Sequence, residues 1–121
     1  MTTAIATALT PLVYVEEYRY MDFPPTYGVV TSVNGFQGWV AADGLGSLED
    51  ALSVALPLAK ALLKRELRSL DSEVRGAKAS TDWSRPEHLE NSLERLAEKR
   101  ETLLSRSPRK RSDFVVKVKG G

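Results

Sequence analysis

Short runs in which apolar and polar residues alternate occupy the N-terminal part of the chain and predict β-strands. The predicted strands cover residues 12–20, 26–33 and 36–42. Between the second and the third, Asn34-Gly35 favours a tight hairpin, because a type I′ turn needs positive φ at both central positions. Residues 22–25 include two prolines and are predicted to separate the first two strands, since proline cannot donate to a ladder. Residues 43–46 are expected to end this meander.

From Ser47 onward, apolar residues recur with the period of a helix, about 3.6 residues. Ser47 is a hydroxyl N-cap, and Glu49 and Asp50 place acidic side chains where the helix dipole favours them. Pro57 lies inside the helical run and predicts either a kink or two helices in tandem. Gly76 and the polar residues after it are expected to end the segment.

A second helix is predicted from the capping box at residues 84–87, which has a proline in its first turn. Its apolar residues recur at alternating spacings of four and three and form a heptad-like seam. The seam comprises Leu89, Leu93, Leu96 and Leu103, with Arg100 as a polar break. After a basic connector, alternation over residues 114–119 predicts a final strand.

These elements follow in the order β-β-β-α-α-β, which predicts an α+β fold. We expect an antiparallel four-stranded sheet that includes the last strand, with a long helical hairpin on one face. The 121 residues are expected to form a single domain. Within it, residues 1–46 form the meander, residues 47–105 the helical hairpin, and residues 106–121 the basic connector and the C-terminal strand.

Residue types that commonly build active sites are absent or rare. The chain has no cysteine and one histidine, His88. These counts exclude a disulfide framework, a thiolate zinc site, a thiol nucleophile and a multi-histidine metal site within one chain, so we expect neither a metal nor a cofactor. No run approaches the roughly 18 apolar residues of a membrane span, and the N-terminal segment lacks the positive region of a signal peptide. We therefore expect a cytoplasmic protein with no membrane partner.

Charge is divided unevenly along the chain, although 17 basic and 16 acidic side chains leave a net charge of +1. Residues 1–56 hold one basic and six acidic side chains, whereas residues 57–121 hold the other 16 basic and ten acidic ones. The aromatic residues divide the opposite way, and seven of the nine precede residue 40. The near-neutral total therefore conceals an acidic, aromatic-rich meander and a basic second half.

The two predicted helices carry columns of opposite charge. The basic column is Lys60, Lys64, Arg68 and Arg75, and the acidic column is Glu87, Glu90, Glu94, Glu98 and Glu101. We expect the two columns to face each other in an antiparallel hairpin and to neutralise much of the basic excess. The apolar seam can equally pair with another copy of the chain, and we expect a homo-oligomer.

The patterns that resemble catalytic motifs are incomplete. The Gly44-x-Gly46 turn lacks the third glycine and the lysine of a phosphate loop. His88 follows a capping box whose serine and glutamate already cap the helix, and no nucleophile elbow precedes it. Glu16 and Glu17 point to opposite faces of a strand and cannot share one site. We therefore expect no catalytic residues and no enzyme.

The candidate ligand-binding residues are basic and aromatic. The bases without a nearby counter-charge are Arg106, Arg109, Lys110, Arg111, Lys117 and Lys119. Such a cluster either binds an anion, such as a nucleotide or an acidic protein surface, or forms a solvated basic loop. Trp83, isolated in a polar segment, either covers the core or stacks on a base or a partner. Tyr14 and Tyr18 are open to the same two interpretations, because tyrosine is common in half-buried strands.

Two family resemblances follow from these residues. Residues 27–63 contain Tyr-Gly-Val-Val, Asn-Gly-Phe-x-Gly-Trp-Val-Ala and Ser-Leu-Glu-Asp-Ala-Leu. This stretch resembles the strand–hairpin–helix half of HicB-type antitoxins, in which a glycine-containing strand precedes a short helix with an acidic start. The chain departs from that family at the long helical hairpin, and no DNA-binding helix-turn-helix follows.

The second resemblance concerns the whole chain. Its size, element order and residue types are similar to those of phage-encoded anti-Thoeris nucleotide sponges, small α+β oligomers that sequester cyclic ADP-ribose-type signals without catalysis. This resemblance implies a viral counter-defence role. It also implies that Trp83 stacks on the nucleotide, while Asn91 and Arg109 contact it.

Three functional hypotheses remain open. The first is an oligomeric, non-catalytic protein that captures an anionic nucleotide-like molecule by stacking and by charge pairing with Arg106, Arg109 and Arg111. The second is a protein–protein interaction module, such as an antitoxin, an inhibitor or an assembly adaptor, that uses the sheet edge or the hairpin seam. The third, nucleic-acid binding, is disfavoured by the near-neutral net charge and by the lack of a recognisable nucleic-acid-binding motif.

Overall fold

A computed structural model describes residues 11–32, 39–80 and 86–120. Its elements are β1 (Val13–Tyr20), β2 (Phe23–Thr31), β3 (Val40–Leu45), α1 (Leu48–Ala79), α2 (Pro86–Ser105), a 3₁₀ helix (Arg111–Asp113) and β4 (Val116–Gly120). The described residues divide into two compact units. The sheet unit comprises those up to Ala61 and those from Arg106 onward, and the hairpin unit is Leu62–Ser105.

The four strands form one mixed sheet in the order β3-β2-β1-β4. The β1–β2 and β2–β3 pairs are antiparallel, whereas β4 runs parallel to β1 from the Val15–Val116 pair onward. The α+β class and the return of the last strand to the sheet are confirmed, but the prediction of an all-antiparallel sheet is wrong. The Leu12 N–H donates to the Arg106 carbonyl oxygen at 2.9 Å, so the chain re-enters the sheet unit beside the start of β1. From there β4 follows β1 in the same direction.

The turn between β1 and β2 is shorter than predicted. It consists of Met21 and Asp22, and β2 already begins at Phe23 and includes both prolines. The pairing of β2 with β3 begins only at Tyr27, so residues 23–26 have a neighbouring strand on the β1 side alone. A strand that is locally an edge, beside a register shift between Tyr18 and Tyr20, tolerates proline.

The third strand lies later in the chain than predicted, because it continues through the turn-like sequence at residues 43–45. Gly44 has a φ of +68°, a left-handed conformation that glycine adopts without steric cost. The pairing of β2 with β3 is irregular near Tyr27 and Val29, as expected where a glycine lets a strand bulge. The predicted Asn34-Gly35 hairpin and residues 36–38 lie outside the described residues.

Helix α1 begins as predicted and ends later. The Ser47 hydroxyl accepts a hydrogen bond from the Asp50 N–H at 3.1 Å, which confirms the N-cap. The helix then continues without a break through Pro57 and Gly76, so the alternative of two tandem helices is wrong, and it ends at Ala79, among the residues that follow Gly76. Proline removes one intrahelical hydrogen bond. The packing of the buried residues on both sides of Pro57 holds the helix together across this position. Those residues are Ala51, Leu52, Ala55 and Ala59.

The core of the sheet unit is centred on β1, which is buried on both faces from Val13 to Glu17. The large apolar side chains that are at most 2% exposed are Leu12, Val13, Val15, Val29 and Val30. The buried stripe of α1 and the buried Phe114 complete this set. Among the described residues, every buried side-chain nitrogen or oxygen has a hydrogen-bond partner. The sheet unit therefore buries both its apolar and its polar groups at little cost.

The hairpin unit is built differently. Its two helices line a shared groove, and the Arg100 guanidinium lies 3.5 Å from the Asp71 carboxylate across it. This ion pair has the opposite sense to the predicted columns, since α2 supplies the base and α1 the acid. Within the described ranges, no ion pair joins the predicted basic column to the predicted acidic column. The prediction that the two columns neutralise each other therefore gains no support from a direct ion pair. Neither described helix has the length and apolar content needed to cross a bilayer.

Candidate functional site

The basic connector between α2 and β4 is an ordered turn. The Asp113 carboxylate accepts hydrogen bonds from the backbone N–H groups of Arg109 and Lys110, at 3.1 and 3.2 Å. The Asp113 N–H in turn donates to the Lys110 carbonyl oxygen at 3.0 Å, which closes the short 3₁₀ helix. One acidic residue thus fixes the backbone from which three basic side chains project.

Arg106 lies at the start of the connector and serves the fold. Its guanidinium donates to the Ser32 carbonyl oxygen at 2.6 Å, and its own carbonyl accepts from Leu12. Burial lowers the pKa of Arg106, although an arginine stays charged throughout the physiological range. The sequence could not reveal this role, because Ser32 lies 74 residues away in the chain.

Arg111 also has an internal partner. It forms an ion pair with Glu49 in the first turn of α1, and both side chains are largely exposed. By contrast, in the part of the chain that the structure describes, the side chains of Arg109 and Lys110 are exposed and form no hydrogen bond or ion pair. The connector therefore presents two neighbouring free cations, rather than the full cluster that the sequence predicts.

Tyr14 and Tyr18 lie on one face of the sheet, beside two lysines of β4. The register pairs Glu16 with Lys117 and Tyr18 with Lys119, so these side chains share that face. The Lys117 ammonium lies 4.3 Å above the centre of the Tyr14 ring, a cation–π contact. Sequence analysis recognised the Val–Lys alternation of β4. It missed this cluster because only the parallel pairing brings the lysines beside the tyrosines.

Glu16 lies at the centre of this cluster. Its carboxylate accepts a hydrogen bond from the Tyr18 hydroxyl at 2.7 Å and lies 3.7 Å from the Lys119 ammonium. Burial, followed by the charge of Glu16, raises the pKa of Tyr14. Burial, followed by the hydrogen bond to Glu16, raises the pKa of Tyr18 strongly. Both tyrosines are therefore neutral at physiological pH, and Tyr14, only 4% exposed, can stack on a ligand only if Lys117 moves away.

The opposite face carries a second carboxylate with its own partners. Glu17 accepts a hydrogen bond from the Tyr27 hydroxyl at 2.8 Å and forms an ion pair with Arg19. The Tyr27 hydrogen bond and then Arg19 lower the pKa of Glu17. Among the described residues, Glu16 and Glu17 share no hydrogen-bond or ion-pair partner. A carboxylate held ionised in this way is suited to stabilising the sheet and not to donating a proton.

Two further predicted site residues belong to other parts of the chain. Asn91 is exposed on α2 in the hairpin unit, whereas Arg109 belongs to the sheet unit. Trp83 lies outside the described residues. The structure therefore brings Tyr14 and Tyr18 together with Lys117 and Lys119, and places Arg106, Arg109 and Arg111 together on the connector.

Sequence analysis did not single out the β1–β2 turn as a binding surface. Tyr20, Met21 and Phe23 are 63%, 94% and 74% exposed, and they follow one another closely around a two-residue turn. The run Tyr-Met-Asp-Phe could have indicated this surface, but the prolines beside it favoured a plain strand break. Large apolar side chains grouped at one exposed turn are typical of a contact surface.

In the described ranges, no three His, Cys, Asp or Glu side chains are placed to hold a metal ion. Comparison with protein-family models, with curated proteins and with solved structures finds no match. The functional inference therefore depends on the connector, the two carboxylate clusters and the exposed turn.

Proposed function

We propose that the chain is a non-catalytic binding protein that sequesters an anionic, nucleotide-like ligand at the connector. The observation that carries this proposal is the pair of free cations, Arg109 and Lys110, projecting from a backbone that Asp113 holds in place. A guanidinium binds a phosphate through two parallel hydrogen bonds, and an adjacent ammonium adds a point charge.

Preorganisation favours this surface over a flexible basic loop. A ligand that binds an already ordered backbone avoids the conformational entropy cost of ordering it. The two exposed cations project from this ordered stretch of backbone. The resemblance to phage nucleotide sponges points to the same class of ligand.

The carboxylate clusters support holding a ligand rather than transforming it. Glu16 and Glu17 are each satisfied by a tyrosine hydroxyl and a cation, and the contacts of Glu17 favour its charged form. A general acid or base needs a pKa near the working pH and access to the substrate. Both carboxylates are buried, which limits the access of a substrate, and the contacts of Glu17 hold its pKa below the usual value.

A thermal-shift screen of the full chain against cyclic nucleotides and dinucleotides tests the proposal. A ligand at about one hundred times its dissociation constant adds about 2.7 kcal/mol of stability, which corresponds to a rise of roughly 10 °C in Tm. We expect Arg109→Ala to abolish the rise. Arg95→Ala, which removes an exposed arginine of α2, is the matched control and should keep it. The absence of any shift, or an Arg109→Ala variant that still responds fully, contradicts the proposal.

A second candidate function, a protein–protein interaction module, is favoured by the exposed turn. Tyrosine, methionine and phenylalanine are enriched at protein interfaces, and Met21 is almost fully exposed. On this hypothesis the chain captures a protein partner in a stoichiometric complex, and Phe23→Ser abolishes capture. Val118→Ser, which removes a 54% exposed apolar side chain from β4, is its control. Capture that survives Phe23→Ser excludes the turn as the binding surface.

A further inference from the structure

The apolar seam of the hairpin unit is left half-covered. All four buried residues of α1 precede residue 60, in the sheet unit, and the buried residue of α2 is Leu103. The other seam leucines of the hairpin unit are only half-buried. Two helices packed on each other cannot enclose a core, so one side of their shared seam stays in contact with water.

That open side is a groove of about 260 Å³. Its apolar lining consists of Leu70, Val74, Leu93, Leu96 and Ala97. Lys78 and the Asp71–Arg100 ion pair complete the lining. The groove is therefore an apolar surface of the kind that a further pair of helices covers in a four-helix bundle.

Opposite charges flank this groove. At about 100° per residue, Arg68 and Arg75 lie roughly a quarter turn from the groove on α1. Glu94 and Glu101 lie a similar angle from it on α2, in the same rotational sense. A short connection makes the two helices antiparallel. The same direction of rotation around each helix axis, starting from the groove, therefore leads to the outer edges of one face of the hairpin. The open face thus carries a basic edge, an apolar centre and an acidic edge.

These two edges have no counter-charge across the hairpin. The four flanking side chains are exposed, and in the described part of the chain none of them forms an ion pair. The interhelical ion pair between Asp71 and Arg100 lies inside the groove instead. The charges on the edges are therefore available to a second molecule.

We propose that a second copy of the chain covers this face, so that two hairpins form a four-helix bundle around a two-fold axis parallel to the helices. This operation places α1 of one copy against α2 of the other, basic edge to acidic edge. The alternative is a two-fold axis that lies in the plane of the interface and is perpendicular to the helices. This alternative places the basic edge of one copy against the basic edge of the other, and repulsion between like charges disfavours it. Charge complementarity therefore selects both the occupant and its orientation.

The register of the interface follows from the ion pair within the hairpin. Asp71 is level with Arg100, so in an antiparallel pair Arg75 is level with Leu96, and Arg68 with Leu103. A two-fold axis along the helices preserves these levels. Within one turn of helix, Arg75 therefore lies opposite Glu94 of the second copy, and Arg68 lies opposite its Glu101.

Light scattering on the full chain tests whether the dimer forms. The expected mass is about twice the 13.4 kDa of one chain. The two charge-reversal variants are Arg68→Glu with Arg75→Glu, and Glu94→Lys with Glu101→Lys. Each should weaken self-association at least about tenfold, because each places like charges against each other. A monomeric wild-type chain, or variants that associate as tightly as the wild type, overturns the proposal.

Mixing the two variants separates contact between chains from contact within one chain. In a mixed dimer, both edges again meet opposite charges, so we expect a heterodimer of wild-type affinity. If the two columns acted only within one chain, mixing would restore nothing, and that result overturns the proposal. Glu73→Lys reverses an exposed charge on the other side of α1 and should remain dimeric. Arg109→Ala should also remain dimeric, which distinguishes this interface from the proposed ligand site.

Discussion

The sheet unit and the hairpin unit bury their side chains to very different extents. In the sheet unit, valines of β1 and β2 are fully buried, and buried carboxylates have their own partners. In the hairpin unit, Leu103 is the one described residue that is buried. The sheet unit therefore has a core of its own, whereas the hairpin unit has an apolar face that stays half-exposed.

The two units also use charge differently. In the sheet unit, acidic residues are matched by tyrosines and by cations that come from distant parts of the chain. Arg111 with Glu49 and Lys119 with Glu16 are examples. In the hairpin unit, the long columns of like charge lie on exposed faces. Charge thus stabilises the fold of the first unit and is available for recognition in the second.

Matched leucine truncations should separate the two units most clearly. Leu12 is 1% exposed, and Leu12→Ala should lower the free energy of unfolding by about 3 kcal/mol. Leu96, half-buried in the groove, should lose only about 1 kcal/mol when replaced by alanine at concentrations where the chain is monomeric. Urea denaturation measures both values. Equal losses would contradict the contrast between the two units.

The second prediction concerns Arg106, which ties the connector to the end of β2. Arg106→Ala should cost about 2 kcal/mol, since it leaves the Ser32 carbonyl oxygen without its charged donor. Arg109→Ala, on the same connector, should change stability by no more than about 0.5 kcal/mol. Denaturation of the two variants side by side provides the comparison. A larger loss for Arg109→Ala would show that its side chain serves the fold.

Two glycine substitutions should have opposite signs. A Cβ on Gly28 would lie 3.1 Å from the Tyr18 ring and 3.3 Å from the Ala42 carbonyl oxygen, so Gly28→Ala should destabilise the sheet unit by about 1–2 kcal/mol. A Cβ on Gly76 meets nothing within 4 Å, and alanine is the better helix former. Gly76→Ala should therefore stabilise the protein by about 1 kcal/mol. Thermal unfolding checks both, and a loss of stability in Gly76→Ala would indicate a contact at this position.

The smallest effect is expected in the pH dependence of stability. Contacts with Tyr27 and Arg19 lower the pKa of Glu17, so its contribution is present above about pH 4.5 and is lost as the pH falls through the lowered pKa. The same hydrogen bond raises the pKa of Tyr27 above 10.0, so its contribution is lost as the pH rises through that raised value. Unfolding in urea from about pH 3 to about pH 11 should show both decreases.

Glu17→Gln should reduce the decrease in stability at acid pH, because glutamine does not titrate. It should also reduce the decrease at alkaline pH, since Tyr27 loses its charged acceptor. Glu73→Gln, which changes an exposed carboxylate of the hairpin unit, is the control and should leave the profile unchanged. An identical profile for Glu17→Gln and the wild type would show that Glu17 is not the group responsible.

Local patterns predicted most of the elements. The alternation in residues 12–20 located β1, and Ser47 predicted the start of α1 to the residue. Errors occurred where tertiary contacts outweigh local preference. Proline at residues 24 and 25 is tolerated because β3 does not reach that end of β2, and α1 passes through Pro57 because the residues around it are buried. Neither circumstance can be inferred from a local window of sequence.

The candidate site was predicted less completely than the fold. The sequence identified the basic cluster and the tyrosines. It could not show that Arg106 and Arg111 find partners at Ser32 and Glu49, or that Lys117 covers Tyr14. Each of these contacts joins segments far apart in the chain, and each changes which side chains are free to bind a ligand.

The sequence by itself determined the kinds of element, their order and the charge that each carries, because periodicity, capping and composition are local properties. Tertiary structure decided the direction of β4, the partners of the charged groups and the face of the hairpin that is left open. Those outcomes depend on which segments meet in space. The parallel pairing of β4 with β1 brings the lysines to the tyrosines, and the antiparallel helices set a basic and an acidic edge on one open face.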